Sequence, residues 1–143
     1  MHKTIKIKYH DDEIPRLKKL VQGDLIDLCA AETVELKAGD FKLISLGVSM
    51  KLPYGWKANV YPRSSTFKNW GVLQTNSVGQ IDNSYSGNND IWKYPVYATR
   101  DTMINKGDRI CQFEIVPVMP DVFIKEVDEL DDVDRGGFGS TGK

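Results

Sequence analysis

The segment Gly79-Gln80-Ile81-Asp82-Asn83-Ser84-Tyr85-Ser86-Gly87 sets a carboxylate and a phenol three residues apart between two glycines. Asn-Ser at the bend suits a β-hairpin. Its backbone N–H and C=O groups can meet the edge of a base while Asp82 and Tyr85 project from fixed positions. An isolated Asp more often caps a turn, and an isolated Tyr more often packs a core, so this segment needs partners. Tyr61-Pro62-Arg63-Ser64-Ser65 supplies one set, a cation and two hydroxyls at the end of a strand-like run, suited to phosphate oxygens. Asp27 stands in the apolar run Ile26-Asp27-Leu28-Cys29-Ala30, where a carboxylate requires a partner or a metal-bound water. Lys106-Gly107-Asp108-Arg109-Ile110-Cys111-Gln112-Phe113 turns into a strand and offers the Gln112 amide to phosphate, with Asp108 and Arg109 reading as a structural ion pair. Arg135-Gly136-Gly137-Phe138-Gly139-Ser140-Thr141-Gly142 joins a cation, permissive glycines and two hydroxyls, the makings of an anion-binding flap.

Other chemistries lack their residues. The two histidines, His2 and His10, lie at the N-terminus, so acid–base work falls to carboxylates. Cys29 and Cys111 stand apart, without CxxC spacing or nearby histidines, and read as small buried hydrophobes rather than zinc ligands. With 27% charged residues and a formal net charge of −1, no polyanion-binding surface is expected, so phosphate contacts are local and nucleic acid is not a partner. No apolar run resembles a signal peptide or a membrane span, and a reducing cytoplasm fits the isolated thiols.

The elements that must position these groups read as β. Ile5, Ile7 and Tyr9 alternate with lysines, and short β-branched or aromatic runs follow at 26–30, 33–36, 41–52 and 56–61. Further strands are expected at 91–99, 109–118 and 122–127, and a short helix over 14–20 between Pro15 and Gly23. Many short strands without a long amphipathic helix predict an all-β, jelly-roll-like sandwich or barrel. At 143 residues the chain fits one domain, 1–127, followed by an acidic then Gly/Ser-rich segment, 128–143, expected to be a mobile tail.

Taken in order, these five segments resemble the five motifs of the trimeric dUTP diphosphatases, over about residues 24–142. The Gly-x-Ile-Asp-x-x-Tyr-x-Gly segment and the Phe-Gly-Ser-Thr-Gly tail carry most of the resemblance. It implies a jelly-roll subunit of a homotrimer, with sites at subunit interfaces that hydrolyse dUTP to dUMP and pyrophosphate with Mg²⁺. By matching position it implies Asp82 as the general base and Tyr85 as the residue packed on the deoxyribose. Asn76, with the backbone of Gly79 and Ile81, would read uracil. Asp27 would hold Mg²⁺ through water. Arg63, Ser64, Ser65 and Gln112 would bind phosphates, and Arg135, Phe138, Ser140 and Thr141 would close the site from another subunit.

The chain departs from the family pattern at three places. Leu25 replaces a Gly, Ser86 replaces an Arg, and Arg135 reaches Phe138 two residues sooner than usual. That shortening removes up to about 7 Å of extended chain. It leads to the expectation that Trp92, in the aromatic-rich run after the Asp82 segment, helps to cover the uracil. The related dCTP deaminases share the Arg-Ser-Ser segment but need a Glu that 88–96 lacks. A dUTP-responsive binding protein with a regulatory partner is a further reading, and the intact Asp27, Asp82 and Tyr85 favour the enzyme.

Overall fold

A computed structural model describes residues 2–139 and 141–142. Among the described residues eleven strands and one short helix follow in the order β1 (Lys6–Tyr9), β2 (Ile26–Cys29), β3 (Val34–Leu36), β4 (Phe41–Ser45), β5 (Val48–Lys51), β6 (Trp56–Pro62), α1 (Thr66–Trp70), β7 (Val72–Gln74), β8 (Gly79–Ile81), β9 (Lys93–Ala98), β10 (Thr102–Ile104) and β11 (Arg109–Pro117). A four-stranded sheet runs β2-β11-β6-β8, and a three-stranded sheet runs β4-β9-β7. Two ribbons, β1-β5 and β3-β10, accompany them. Every pairing is antiparallel.

The alternation of side chains explains which faces are buried. In β6, Ala58 and Val60 point into the core while Asn59 and Tyr61 face out; in β9, Trp92 just before the strand, Tyr94, Val96 and Ala98 point in. Leu28, Ile44, Val48 and Phe113 complete the packing. Among the described residues no helix is long and apolar enough to cross a membrane.

Trp92 corrects an expectation. Its side chain is 0% exposed and meets Phe113 edge-on, with centroids 5.2 Å apart at 78°. Its backbone ties to Leu46 and Val48. A ring with no exposed face cannot stack on a base. The Trp92→Ala protein is therefore expected to lose about 3–5 kcal/mol of stability, measured by denaturant unfolding.

Three local expectations also differ from the structure. Residues 14–20 form no helix; Ile14 is buried in the core and the Leu17 N–H donates to the Tyr9 hydroxyl. Residues 122–127 form no strand and leave Phe123 fully exposed. The Asp82 segment forms a strand and then a turn, since β8 pairs with β6 and no return arm forms. The helix α1 was not anticipated: five residues are too few to show a period. Gly71 ends it at φ 64, donating its N–H to the Phe67 carbonyl, and any Cβ there would meet the Arg100 side chain at 2.8 Å.

Candidate active site

The phosphate-type residues gather at one end of the four-stranded sheet. Asp27 on β2 lies opposite Gln112 on β11, which lies opposite Tyr61 on β6. Arg63 follows β6, and its Nε sits 3.1 Å from Asp27 Oδ1. Its Nη1 donates to the Arg109 carbonyl at 2.9 Å, while its N–H donates to Thr66 Oγ1 at 2.8 Å. The buried Thr66 hydroxyl in turn donates to the Ile110 carbonyl. These bonds fix the turn that carries Arg63, Ser64 and Ser65. Ser65 starts α1 without a side-chain capping bond, so its hydroxyl is free for a ligand. Gln112 donates to the Pro62 carbonyl at 3.2 Å.

Arg109 belongs to this group, and its assignment to Asp108 is corrected. Arg109 Nη1 lies 3.5 Å from Asp27 Oδ2, whereas Asp108 accepts the Asn105 N–H. The cause is a bulge in β11 between Arg109 and Cys111. Positions 109 and 112 would face opposite ways in a regular strand; one extra residue puts them on the same face. Arg109 thus stands opposite Cys29, and Gln112 opposite Asp27. A cleft of about 270 Å³ opens beside Asp27 and Arg109, with Arg16 and Lys18 on its rim. Cys29 also borders it, but burial pushes its thiol pKa up against the opposing pull of Arg109. That direction works against thiolate formation and so against a nucleophilic role.

A second cleft, of about 230 Å³, holds Asp82 and Tyr85 together with Gln80, Ile81, Ile91 and Lys93, and Trp92 lies beneath it. The turn that presents Asp82 is pinned from below. Asn83 Nδ2 donates to the carbonyls of Pro53 and Trp56 at 2.9 and 2.8 Å, and the Tyr85 N–H donates to the Asp82 carbonyl. The Tyr85 hydroxyl donates to the Ile91 carbonyl at 3.0 Å, which holds the half-exposed ring against the cleft. Gly87 closes the segment against Asp90: its N–H donates to Oδ2, and a Cβ would meet that oxygen at 2.8 Å. Asn76 sits exposed in the β7–β8 connection, where its Oδ1 accepts from Gln74 Nε2 at 3.0 Å. Gly79 and Ile81 lie on β8 opposite Val60 and Ala58.

The two clefts lie at opposite ends of β6. Ile81 pairs with Ala58, so Asp82 falls beside Lys57, whereas Arg63 follows the last residue of the same strand. From Lys57 to Arg63 is about 20 Å of strand. The structure therefore brings Asp27, Arg63, Arg109 and Gln112 together, and Asp82 with Tyr85, but does not join the groups. Arg135, Phe138 and Thr141 are exposed and touch neither; Phe138 is 114% exposed at φ 51. Ser140 lies outside the described residues.

Neither Lys93, which lines the Asp82 cleft, nor Asn83, which anchors its turn, stands out in the sequence. Lys93 faces the Asp82 cleft because Trp92 and Tyr94 on either side point into the core; the period-2 pattern was the available signal. Asn83 reads as a plain turn residue, and nothing in its neighbours announces its two carbonyl partners. Among the described residues no three His, Cys, Asp or Glu side chains converge to hold a metal.

The dUTPase family model matches residues 21–142. A prophage-derived deoxyuridine 5'-triphosphate nucleotidohydrolase of Bacillus subtilis is 61% identical over 138 residues, covering 96% of this chain and 97% of its own. The deoxyuridine 5'-triphosphate nucleotidohydrolase of Corynebacterium glutamicum is 36% identical over 143 residues, covering 98% of this chain and 95% of its own. Among solved structures, a Staphylococcus bacteriophage 80alpha dUTPase mutant with dUpNHpp superposes with a TM-score of 0.81 at 22% identity, covering 98% of this chain and 99% of that one. A mutant dUTPase from phage phi11 of S. aureus, described with a structural Mg(II) ion, gives 0.77 at 18% identity, covering 90% and 99%. The last two speak for the fold alone. With the match spanning both clefts and the tail, the chain belongs to the dUTPase family.

Proposed function

We propose that this chain hydrolyses dUTP to dUMP and pyrophosphate, with Asp82 as the base. The observation that carries the reading is the Asp82 cleft, where one carboxylate and one half-exposed tyrosine ring face the same space on a turn pinned by Asn83. Asp82 takes a proton from a water as its oxygen attacks the α-phosphorus. The bond to the bridging oxygen breaks, and pyrophosphate leaves. The Tyr85 ring packs against the deoxyribose where a 2′-hydroxyl would stand. Asn76 and the β8 backbone read the uracil edge. Side-by-side measurement of pyrophosphate release from dUTP, dCTP, dTTP and UTP tests this; release confined to dUTP supports it, and equal release from dCTP or UTP overturns the specificity.

The site requires more than one chain. A nucleotide laid along β8, base at Asn76 and α-phosphate at Asp82, points its triphosphate away from its own Arg63, because Asn76 precedes Gly79 at the Val60 end. Phosphates are then met by Arg63, Ser64, Ser65, Arg109 and Gln112 of a neighbour. A trimer with one such site per interface satisfies this arrangement. The outer face of β4, β9 and β7 supports association: Phe41 and Leu73 both stand opposite Tyr97, and all three are exposed. Arg135, Ser140 and Thr141 then close over the γ-phosphate. Phe138, the exposed aromatic, covers the base in place of Trp92.

Mg²⁺ fits as a passenger on the triphosphate rather than as an ion chelated by side chains. Asp27, its side chain 21% exposed and facing two guanidinium groups, is the carboxylate placed to accept hydrogen bonds from waters on such an ion. When bound, Mg²⁺ would neutralise part of the triphosphate charge.

Tyr85→Ala is expected to narrow the preference for dUTP over UTP by roughly tenfold or more, since rejection by shape disappears with the ring. The ratio of kcat/KM values for the two nucleotides measures it; an unchanged ratio means that Tyr85 only packs.

A further inference from the structure

A third cleft, of about 240 Å³, is lined by Lys6, Lys8 and Lys51 with Ser49, Ser86 and Asn88 among its walls. Lys6 stands directly opposite Lys51 in the β1-β5 register, and Lys8 opposite Ser49, so all three ammonium groups leave one face of the ribbon. Like charges placed directly opposite one another destabilise a strand pair. Among the described residues none of the three joins an ion pair. The Ser49 hydroxyl is already engaged with His10 and the Asp90 carbonyl, and the Asp90 carboxylate with the Gly87 N–H. The cleft thus presents three ammonium groups, none of them within ion-pair distance of a carboxylate among the described residues, with the anion Asp90 close by, bound to the Gly87 N–H of the cleft wall.

More than enough opposite charge lies in the same chain. Asp128, Glu129, Asp131, Asp132 and Asp134 put five carboxylates into residues 128–134, all exposed and outside any strand or helix. The path of the chain brings them within reach. β11 ends opposite Trp56, and the Val118 N–H donates to the Gly55 carbonyl at 2.9 Å. Only residues 52–55 separate that point from Lys51 at the end of β5. The chain thus leaves the fold close to the lysine cleft, and residues 119–128 can span up to about 33 Å.

We propose that the acidic segment 128–134 of one copy of this chain docks in the Lys6–Lys8–Lys51 cleft of a copy. This contact anchors Arg135 and the residues after it beside the Asp82 turn, because Ser86 and Asn88 in the cleft wall directly follow Tyr85. The inference rests on the tail closing the dUTP site. It makes closure electrostatic, so salt weakens it.

The test couples amines to touching carboxylates with a carbodiimide in the full-length protein, and maps the products by mass spectrometry. At about 50 mM salt, products should join residues 128–134 to Lys6, Lys8 or Lys51, and they should fade at about 500 mM. K6E/K51E should raise KM for dUTP about fivefold to tenfold with kcat within about twofold; D131K/D132K should do the same, and the combined protein should return KM to within about twofold of the parent. Cross-links spread evenly over lysines such as Lys37 and Lys68 would overturn the docking. So would a combined protein no better than either double variant, or protection of the lysines by added pyrophosphate with no tail cross-links. Should the protein not turn over dUTP at all, the functional reading fails, while the cross-links, which need no turnover, still decide the contact.

Discussion

Asp82→Asn is expected to lower kcat for dUTP by roughly 10²- to 10⁴-fold, the usual contribution of a positioned general base. Asparagine keeps the size and one acceptor but cannot take the proton from water. Nothing in the surrounding turn depends on the Asp82 side chain: Asn83 holds the turn to Pro53 and Trp56, and the Tyr85 N–H binds the Asp82 backbone carbonyl. The variant should therefore fold normally and bind a non-hydrolysable dUTP analogue nearly as tightly as the parent. Steady-state kinetics and titration calorimetry check the two halves. Near-parental turnover would remove Asp82 from the chemistry.

Deleting residues 135–143 is expected to lower kcat/KM by roughly 10²- to 10³-fold, the scale seen when a donor aimed at developing charge is removed. In the folded body Arg63 already serves Asp27 and the Arg109 carbonyl. A triphosphate therefore needs further cations, and Arg135 is exposed and outside the core. The deletion should leave thermal stability unchanged within about 1 kcal/mol, since none of the described residues among them joins the buried cluster. A loss of activity that tracks a loss of stability would instead mark the tail as part of the fold.

Residue types and spacing single out Asp82, Tyr85, Arg63 and Gln112 as candidates, the family resemblance supplies their proposed roles, and the structure sets Arg63 and Gln112 beside Asp27 and Asp82 beside Tyr85. What failed did so for identifiable physical reasons. The reach of the tail points to Trp92 as a cover for the base, but the facing of its side chain decides otherwise. Tyr94, Val96 and Ala98 point inward, and the same alternation carries Trp92 into the core and turns Lys93 to the cleft. Arg109 looked like a partner for Asp108 because a bulge leaves no mark in an apolar run; only the register shows that the extra residue turns Arg109 towards Asp27. Residues 122–127 carry strand composition but find no edge within their own chain. Most of the longer strands follow from β-branched and aromatic runs, but 41–52 divides into β4 and β5, and the three-residue strands β7 and β10 carry too little pattern to be read. The proposed sharing of the site between chains is implied by the family resemblance but by no single segment, because it depends on which end of β6 each segment reaches, a property of pairing.

One measurement tests most directly whether the proposed site is shared between chains. Asp82→Asn subunits and Arg63→Ala subunits, each nearly inactive, are mixed under conditions where subunit exchange is verified by mass spectrometry, and dUTP turnover is followed. If Asp82 of one chain works with Arg63 of the next, random assortment restores about a quarter of the sites, so activity rises far above that of either parent. If turnover stays at the parental floor despite complete exchange, both residues serve the same chain's site, and the placement of the two halves on neighbouring chains is wrong.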